Sequence, residues 1–208
     1  MIFDKLKVCF IGAHPDDIEL GCGALISSIA DRCEIVCVTL SKNQKNPDNK
    51  NLVKEHYKSL ASLNVQKDKI ILGNFITRIF SSSRQEICDY LLKISKEHKP
   101  DAVFTHSFSD MHQDHEVVSK EVLRIFKCKT VMGFEILPSS YNFKPNFFFE
   151  AGEKDVNNKL KALMQYKTYR GKKYFEQELL KAQLIRNGIF IGKKYAEAFE
   201  VIRLASVL

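Results

Sequence analysis

Residues 7–13 read KVCFIGA and run directly into His14-Pro15-Asp16-Asp17. Val, Cys, Phe and Ile without a charged interruption predict a buried strand, and the proline ends it. Downstream, 34–40 (EIVCVTL), 101–106 (DAVFTH) and 130–137 (TVMGFEIL) repeat the pattern, while 69–72 and 147–150 read as shorter strands. Between them, apolar residues recur at helical spacing over 19–30, 52–63, 84–98, 117–126 and 154–166. Strands alternating with helices predict an α/β fold: a mostly parallel, doubly wound sheet with helices on both faces. The polar stretch 41–51, which holds Pro47, reads as a loop long enough to be a functional flap. Residues 167–173 (KTYRGKK) lead into a C-terminal segment read as helical and as part of the same domain, so that 1–208 form one unit.

A chain of 208 residues, 45% hydrophobic and 27% charged, suits one domain with a full core. No segment approaches the roughly 18–20 apolar residues that cross a bilayer, and the first residues carry no cleavage pattern, so a soluble, unprocessed chain is expected. Six cysteines lie among apolar neighbours without C-x-x-C pairing. They read as small buried hydrophobes in a reducing, cytoplasmic setting. The net charge of +7 suits an anionic partner, but the basic residues are spread out and no nucleic-acid motif accompanies them, so no nucleic acid is expected.

In open α/β sheets the loop after the first strand borders the ligand crevice. A dinucleotide-binding chain places G-x-G-x-x-G there, whereas this one places an imidazole and two carboxylates, which suit a cation. Gly21 and Gly23 fall beyond, where they suit close packing of helix on strand. A second cluster, Asp110-Met111-His112-Gln113-Asp114-His115, follows the 101–106 strand. Both clusters reach the same sheet edge, where His14, Asp17 and His115 would supply two nitrogens and one oxygen. Three protein ligands and an open fourth position are the pattern of a catalytic zinc, although iron, cobalt or manganese also accept this set. Asp16 is then the candidate general base towards water. His112 is the candidate oxyanion stabiliser and donor to a departing amine, with Asp114 orienting it and favouring its charged form. A structural metal site, or polar loops meeting by chance, is the plainer alternative.

At these residues the sequence resembles the PIG-L/LmbE-like family of zinc-dependent de-N-acetylases. The first family motif is matched by His14-Pro15-Asp16-Asp17 with Glu19, Gly21 and Gly23, and the second by His112-x-Asp114-His115. Residues 195–199 (YAEAF) resemble a feature near the family's C-terminus, so the likeness spans nearly the whole chain. The resemblance implies a Rossmann-like α/β sandwich and zinc held by His14, Asp17 and His115. It also implies Asp16 as base, and His112 with Asp114 assisting the oxyanion and leaving group. The implied substrate is an N-acetylated amino sugar, free or nucleotide- or lipid-linked, and related proteins are often homo-oligomers. Many members carry an arginine shortly before the glutamate of the second helix, where this chain reads Asn51-Leu52-Val53-Lys54 before Glu55. Lys54 is a substitute without arginine's bidentate fork, and Arg78 is a second candidate for holding substrate. Asp110 is a candidate sugar-hydroxyl acceptor or loop cap. The DMHQDH motif and the 141–145 segment favour surface-glycan or modified-sugar biosynthesis by analogy. The rivals are the same hydrolysis on a thiol-precursor glycoconjugate and a metal-containing binding module without turnover. The intact Asp16 and His112 argue against the latter.

Overall fold

A computed structural model describes residues 3–205. The opening stretch forms β1 (Lys7–Gly12), followed by α1 (Asp17–Ile29), β2 (Glu34–Ser41), α2 (Leu52–Ser62) and β3 (Ile70–Phe75). Then come α3 (Arg84–His98), β4 (Ala102–His106), α4 (Gln113–Ile125), β5 (Thr130–Phe134) and β6 (Phe147–Glu150). The chain closes with α5 (Glu153–Leu163), α6 (Gln177–Ile189) and β7 (Ala196–Arg203). One seven-stranded sheet runs β3-β2-β1-β4-β5-β7-β6. The first five strands of that order are parallel, and β7 joins β5 and β6 antiparallel.

The alternation of side chains along a strand divides the core in two. Val8 and Phe10 of β1 face one core, built with α1, α2, α5 and α6, while Cys9 and Ile11 face the other, built with α3 and α4. The expected α/β sheet, mostly parallel and covered on both faces, is therefore present. Gly21 meets its expected purpose too: a Cβ there would lie 2.4 Å from the Phe134 ring.

Three expectations need correction. The helices expected to begin at 19 and 117 begin at Asp17 and Gln113, because the acidic residues taken for loop occupy first turns, where a carboxylate meets the positive helix end. The 130–137 strand stops at Phe134, and Ile136 and Pro138 turn away to line a cavity. The C-terminal segment read as helical also holds β7, which supplies the inner partner of edge strand β6.

Strands β2 and β4 flank β1, and the helices that follow β1 and β4 cover opposite faces. This is a switch point, where the two connections diverge and leave a crevice beyond the carboxyl ends. Both polar clusters lie there. The β7 strand reaches this region through Glu197, which accepts from the amides of Ala24 (2.9 Å) and Leu25 (2.7 Å) in α1. Lys159 of α5 donates at 2.6 Å both to Glu197 and to the Leu20 carbonyl.

Candidate metal centre and pocket

Leaving β1, the chain turns through Asp16 with φ at 105°, a conformation that costs a non-glycine residue about 1–3 kcal/mol. The turn aims two successive carboxylates differently. Asp17 Oδ2 accepts from the His14 amide at 2.7 Å and faces His14 Nδ1 and His115 Nε2, each at 3.6 Å. Those two nitrogens are 3.3 Å apart. Asp16 stands at the N-cap position of α1 but caps no amide with its side chain, and it lines the cavity.

Behind each imidazole sits a carboxylate. His14 Nε2 is 2.9 Å from Asp114 Oδ2, and His115 Nδ1 is 2.9 Å from Asp110 Oδ2. If each outer nitrogen donates, both inner nitrogens present lone pairs. With Asp17 they form a triangle of acceptors that has no proton to share, an arrangement a cation satisfies. Tetrahedral zinc with bonds of about 2.0–2.1 Å places its ligands roughly 3.3–3.4 Å apart, close to the spacing seen. The donor set thus suits a divalent metal of the zinc type, and His14, His112 and His115 together also form a group able to hold an ion.

The surroundings shape the charges. Burial, then His115, His106 and His14, act on Asp17; the histidines outweigh burial and hold its carboxyl below the usual range. Burial, reinforced by the charges of Asp17 and Glu19, pushes Asp16 well up, against the pull of Lys172. Burial and His106 bring His115 down to about 4, which favours the neutral, ligating imidazole. Burial and His14 lower His112 as well, against Asp114, Asp17 and Asp110.

Two expected pairings are rearranged. The Asp114 carboxylate lies against His14 and the amides of Arg78 and Phe80, not against His112. What meets His112 is the Asp114 amide, which donates to Nδ1 at 3.1 Å and makes His112 the N-cap of α4. Its neutral form then carries the proton on Nε2. Asp110 Oδ1 accepts from the His112 amide at 2.9 Å. It lies outside the cavity wall, however, bonded to His115 and to the hydroxyls of Ser139 and Ser140, so the place foreseen for a sugar hydroxyl is taken.

Lys54 is exposed on α2 and is not part of the cavity, whereas Arg78 lines it. The cavity encloses ≈ 690 Å³, large enough for a sugar conjugate. Sequence reasoning overlooked His106, the last residue of β4. It is fully buried, with its ring stacked on His115 at 3.8 Å and its Nε2 3.3 Å from Asp17 Oδ2. Its place at the carboxyl end of a central strand was the available signal. Also overlooked were Tyr169 and Lys172 of the basic 167–173 stretch and Tyr174 just after it, which line the cavity. Asn43 and Lys45 of the expected flap line the cavity as well.

Comparisons with known proteins agree with this picture. A protein of Escherichia coli K12 described as the uncharacterized deacetylase YaiS is 29% identical over 168 residues, covering 76% of this chain and 89% of that protein. The N,N'-diacetylchitobiose deacetylase of Pyrococcus horikoshii superposes with a TM-score of 0.78 at 22% identity, over 96% of this chain and 84% of the other. GalB, the 4-carboxy-2-hydroxymuconate hydratase of Pseudomonas putida KT2440, superposes with a TM-score of 0.74 at 16% identity, over 98% of this chain and 100% of the other. At such identities the two structures establish the shared fold alone, and they show that it houses more than one reaction. The family described as GlcNAc-PI de-N-acetylase, PIG-L, matches residues 9–126, which hold both polar clusters and β1 to α4 almost entire. With more than half of its length matched, this chain belongs to the PIG-L family.

Proposed function

We propose that this chain is a zinc-dependent N-deacetylase that hydrolyses the acetamide of an N-acetylated amino sugar or its conjugate. The observation that carries the reading is the acceptor triangle of His14, Asp17 and His115, set beside an Asp16 carboxylate with no capping duty. Zinc held there would supply Lewis acidity at the amide carbonyl and make water more acidic. Asp16, whose burial favours holding a proton, takes one from the attacking water as the oxygen bonds to the carbonyl carbon. His112 directs its Nε2–H at the carbonyl oxygen as negative charge gathers there. The neutral state that burial favours suits it to donate a hydrogen bond, so the proton gained by Asp16 is the one passed to the nitrogen as the C–N bond breaks. Acetate and a free amine result.

The assignment of surface-glycan or modified-sugar biosynthesis, in the cytoplasm, extends this reading. The pathway rests on analogy of the second motif, while six cysteines that are all free suit a reducing compartment. Among the described residues no helix is long and apolar enough to cross a membrane. The test is release of acetate and free amine from a panel of N-acetylated sugars, free, nucleotide-linked and lipid-linked, with metal-loaded protein and a chelated control. Metal-dependent release establishes the reaction. Stoichiometric metal with no release from any acetamide would overturn it and favour a binding role or, as the hydratase neighbour warns, another reaction on the same fold.

A further inference from the structure

His106 stands between the two polar clusters and belongs to neither. The main-chain pairing of β1 with β4 ends at Phe10 and Phe104, while β4 stays paired with β5 as far as His106 and Phe134. Beyond Phe10 the His106 side chain ties the first strand across: Ala13, the residue before His14, donates its amide to His106 Nε2 at 3.1 Å. That nitrogen also stands 3.3 Å from Asp17 Oδ2, the longer of the two contacts. The Ala13 carbonyl accepts from the Ser41 amide at 2.9 Å, and the His14 amide donates to Asp17 Oδ2 at 2.7 Å. The backbone leading into the first cluster is thus gripped group by group, and His106 supplies the grip from β4.

The His106 ring serves the second cluster. Its centroid lies 3.8 Å from that of His115 at 9°, and the His112 centroid lies 4.3 Å from His115 at 24°. Two rings stacked so closely on a third need its opposite faces, so His115 is held between them, with Asp110 fixing its Nδ1 at 2.9 Å. Asp17, His106 and His115 are near enough to form a second group able to hold an ion. Parallel rings, however, keep their nitrogen lone pairs in separate planes, so His106 and His115 do not both aim at one ion. His106 stands behind the ligands.

Its presence there has a cost. His106 is fully buried, and its Nδ1 has no hydrogen-bond partner among the described residues, which is unfavourable for a buried polar atom. A phenylalanine would fill the same space beside Phe134, whose centroid is 4.8 Å away, without that orphan. What the imidazole offers in return is an acceptor for Ala13 on a ring that still stacks.

Resting on the deacetylase reading, we propose that His106 is a positioning residue that sets the two clusters against each other, its Nε2 holding the Ala13 amide ahead of His14 and its ring holding His115 against His112. It touches no substrate and acts through the ligands it aligns.

The experiment uses the full chain loaded with cobalt(II), whose visible absorption reports the geometry of its ligands. His106→Phe keeps a flat ring and loses the acceptor; His106→Gln keeps an oxygen within reach of the Ala13 amide and loses the stack. Each should weaken cobalt binding about tenfold in competition with a chromophoric chelator, and His106→Ala about a hundredfold, the range typical of residues behind metal ligands. The visible bands should shift in all three. His98→Gln, at the other end of β4, should change neither. Urea unfolding of the metal-free proteins separates alignment from mere packing. A lowered midpoint in His106→Phe and His106→Gln, with cobalt affinity and bands equal to wild type, would overturn the proposal, as would wild type that binds no cobalt. Cobalt binding that the variants perturb, in a protein that releases no acetate, sinks the deacetylase and keeps the role of His106. Acetate release by a wild type whose bands the variants leave unchanged sinks that role alone.

Discussion

Replacing Asp114 separates the charge of the carboxylate behind His14 from its shape. Oδ2 accepts from His14 Nε2 at 2.9 Å and from the Arg78 amide at 2.7 Å, while Oδ1 is 3.4 Å from the Phe80 amide. In Asp114→Asn, an oxygen placed where Oδ2 stands keeps the two short bonds, and the NH2 group turns towards the Phe80 N–H. The His14 tautomer survives, but the negative charge that makes Nδ1 a stronger ligand is lost. Metal affinity should fall about tenfold, the low end of the 10–100-fold typical of such outer partners and worth about 1.4 kcal/mol. In Asp114→Ala the acceptor disappears, two amides and His14 Nε2–H lose their partner, and His14 is released to the tautomer that cannot ligate. Affinity should then fall about a hundredfold, and the metal-free protein should lose about 3 kcal/mol of stability. Competition with a chromophoric chelator measures the first quantity and urea unfolding of metal-free protein the second. A folded Asp114→Ala protein that binds zinc as tightly as wild type would refute the assignment of His14 as a ligand oriented by Asp114.

Asp16→Asn should keep its metal while kcat for acetate release falls about 10²–10⁴-fold, and unchanged turnover would remove Asp16 as the base. Gly21→Ala should lower the urea midpoint by an amount equivalent to about 1–3 kcal/mol, because the added methyl meets the Phe134 ring at 2.4 Å. A neutral result there would mean that β5 yields more easily than its burial suggests. Burial lowers His56 to about 4, so the folded state refuses a proton that the unfolded state accepts near 6.5. Stability from this residue is therefore present above pH 6.5 and lost towards pH 4, at about 1.4 kcal/mol per pH unit. The stability difference between wild type and His56→Gln should shift with that sign across the interval, and a difference independent of pH would count against a neutral buried imidazole.

What the sequence discloses depends on how local each cause is. The helix over 84–98 and the short strand over 147–150 agree with α3 and β6 residue for residue, because periodicity and a bounded apolar run are properties of the stretch itself. The two polar clusters were legible for the same reason, as types of residue concentrated beyond buried strands. Their partners were not. His14 and Asp114 are 100 positions apart, and nothing in either motif states that the second carboxylate orients the first imidazole. The helix starts went astray because Asp17 and Asp114 are polar enough to resemble loop, although first turns favour such residues. The β7 strand escaped because buried Glu197 breaks its apolar pattern, and its partner Lys159 lies 38 positions away.

That same Glu197 makes the end of the chain a condition for the order of its beginning. Residues 9–126 carry every candidate ligand, yet the helix that starts with Asp17 is held by a carboxylate from residue 197 and an ammonium from residue 159. During synthesis the ligands emerge before residue 197, so their supporting helix cannot acquire these bonds until that later strand has left the ribosome. A fragment cut after the second motif would keep the residues of a deacetylase without the brace that sets their angle. Metal affinity measured on such a fragment would report how much of the site's order is borrowed from its last strand.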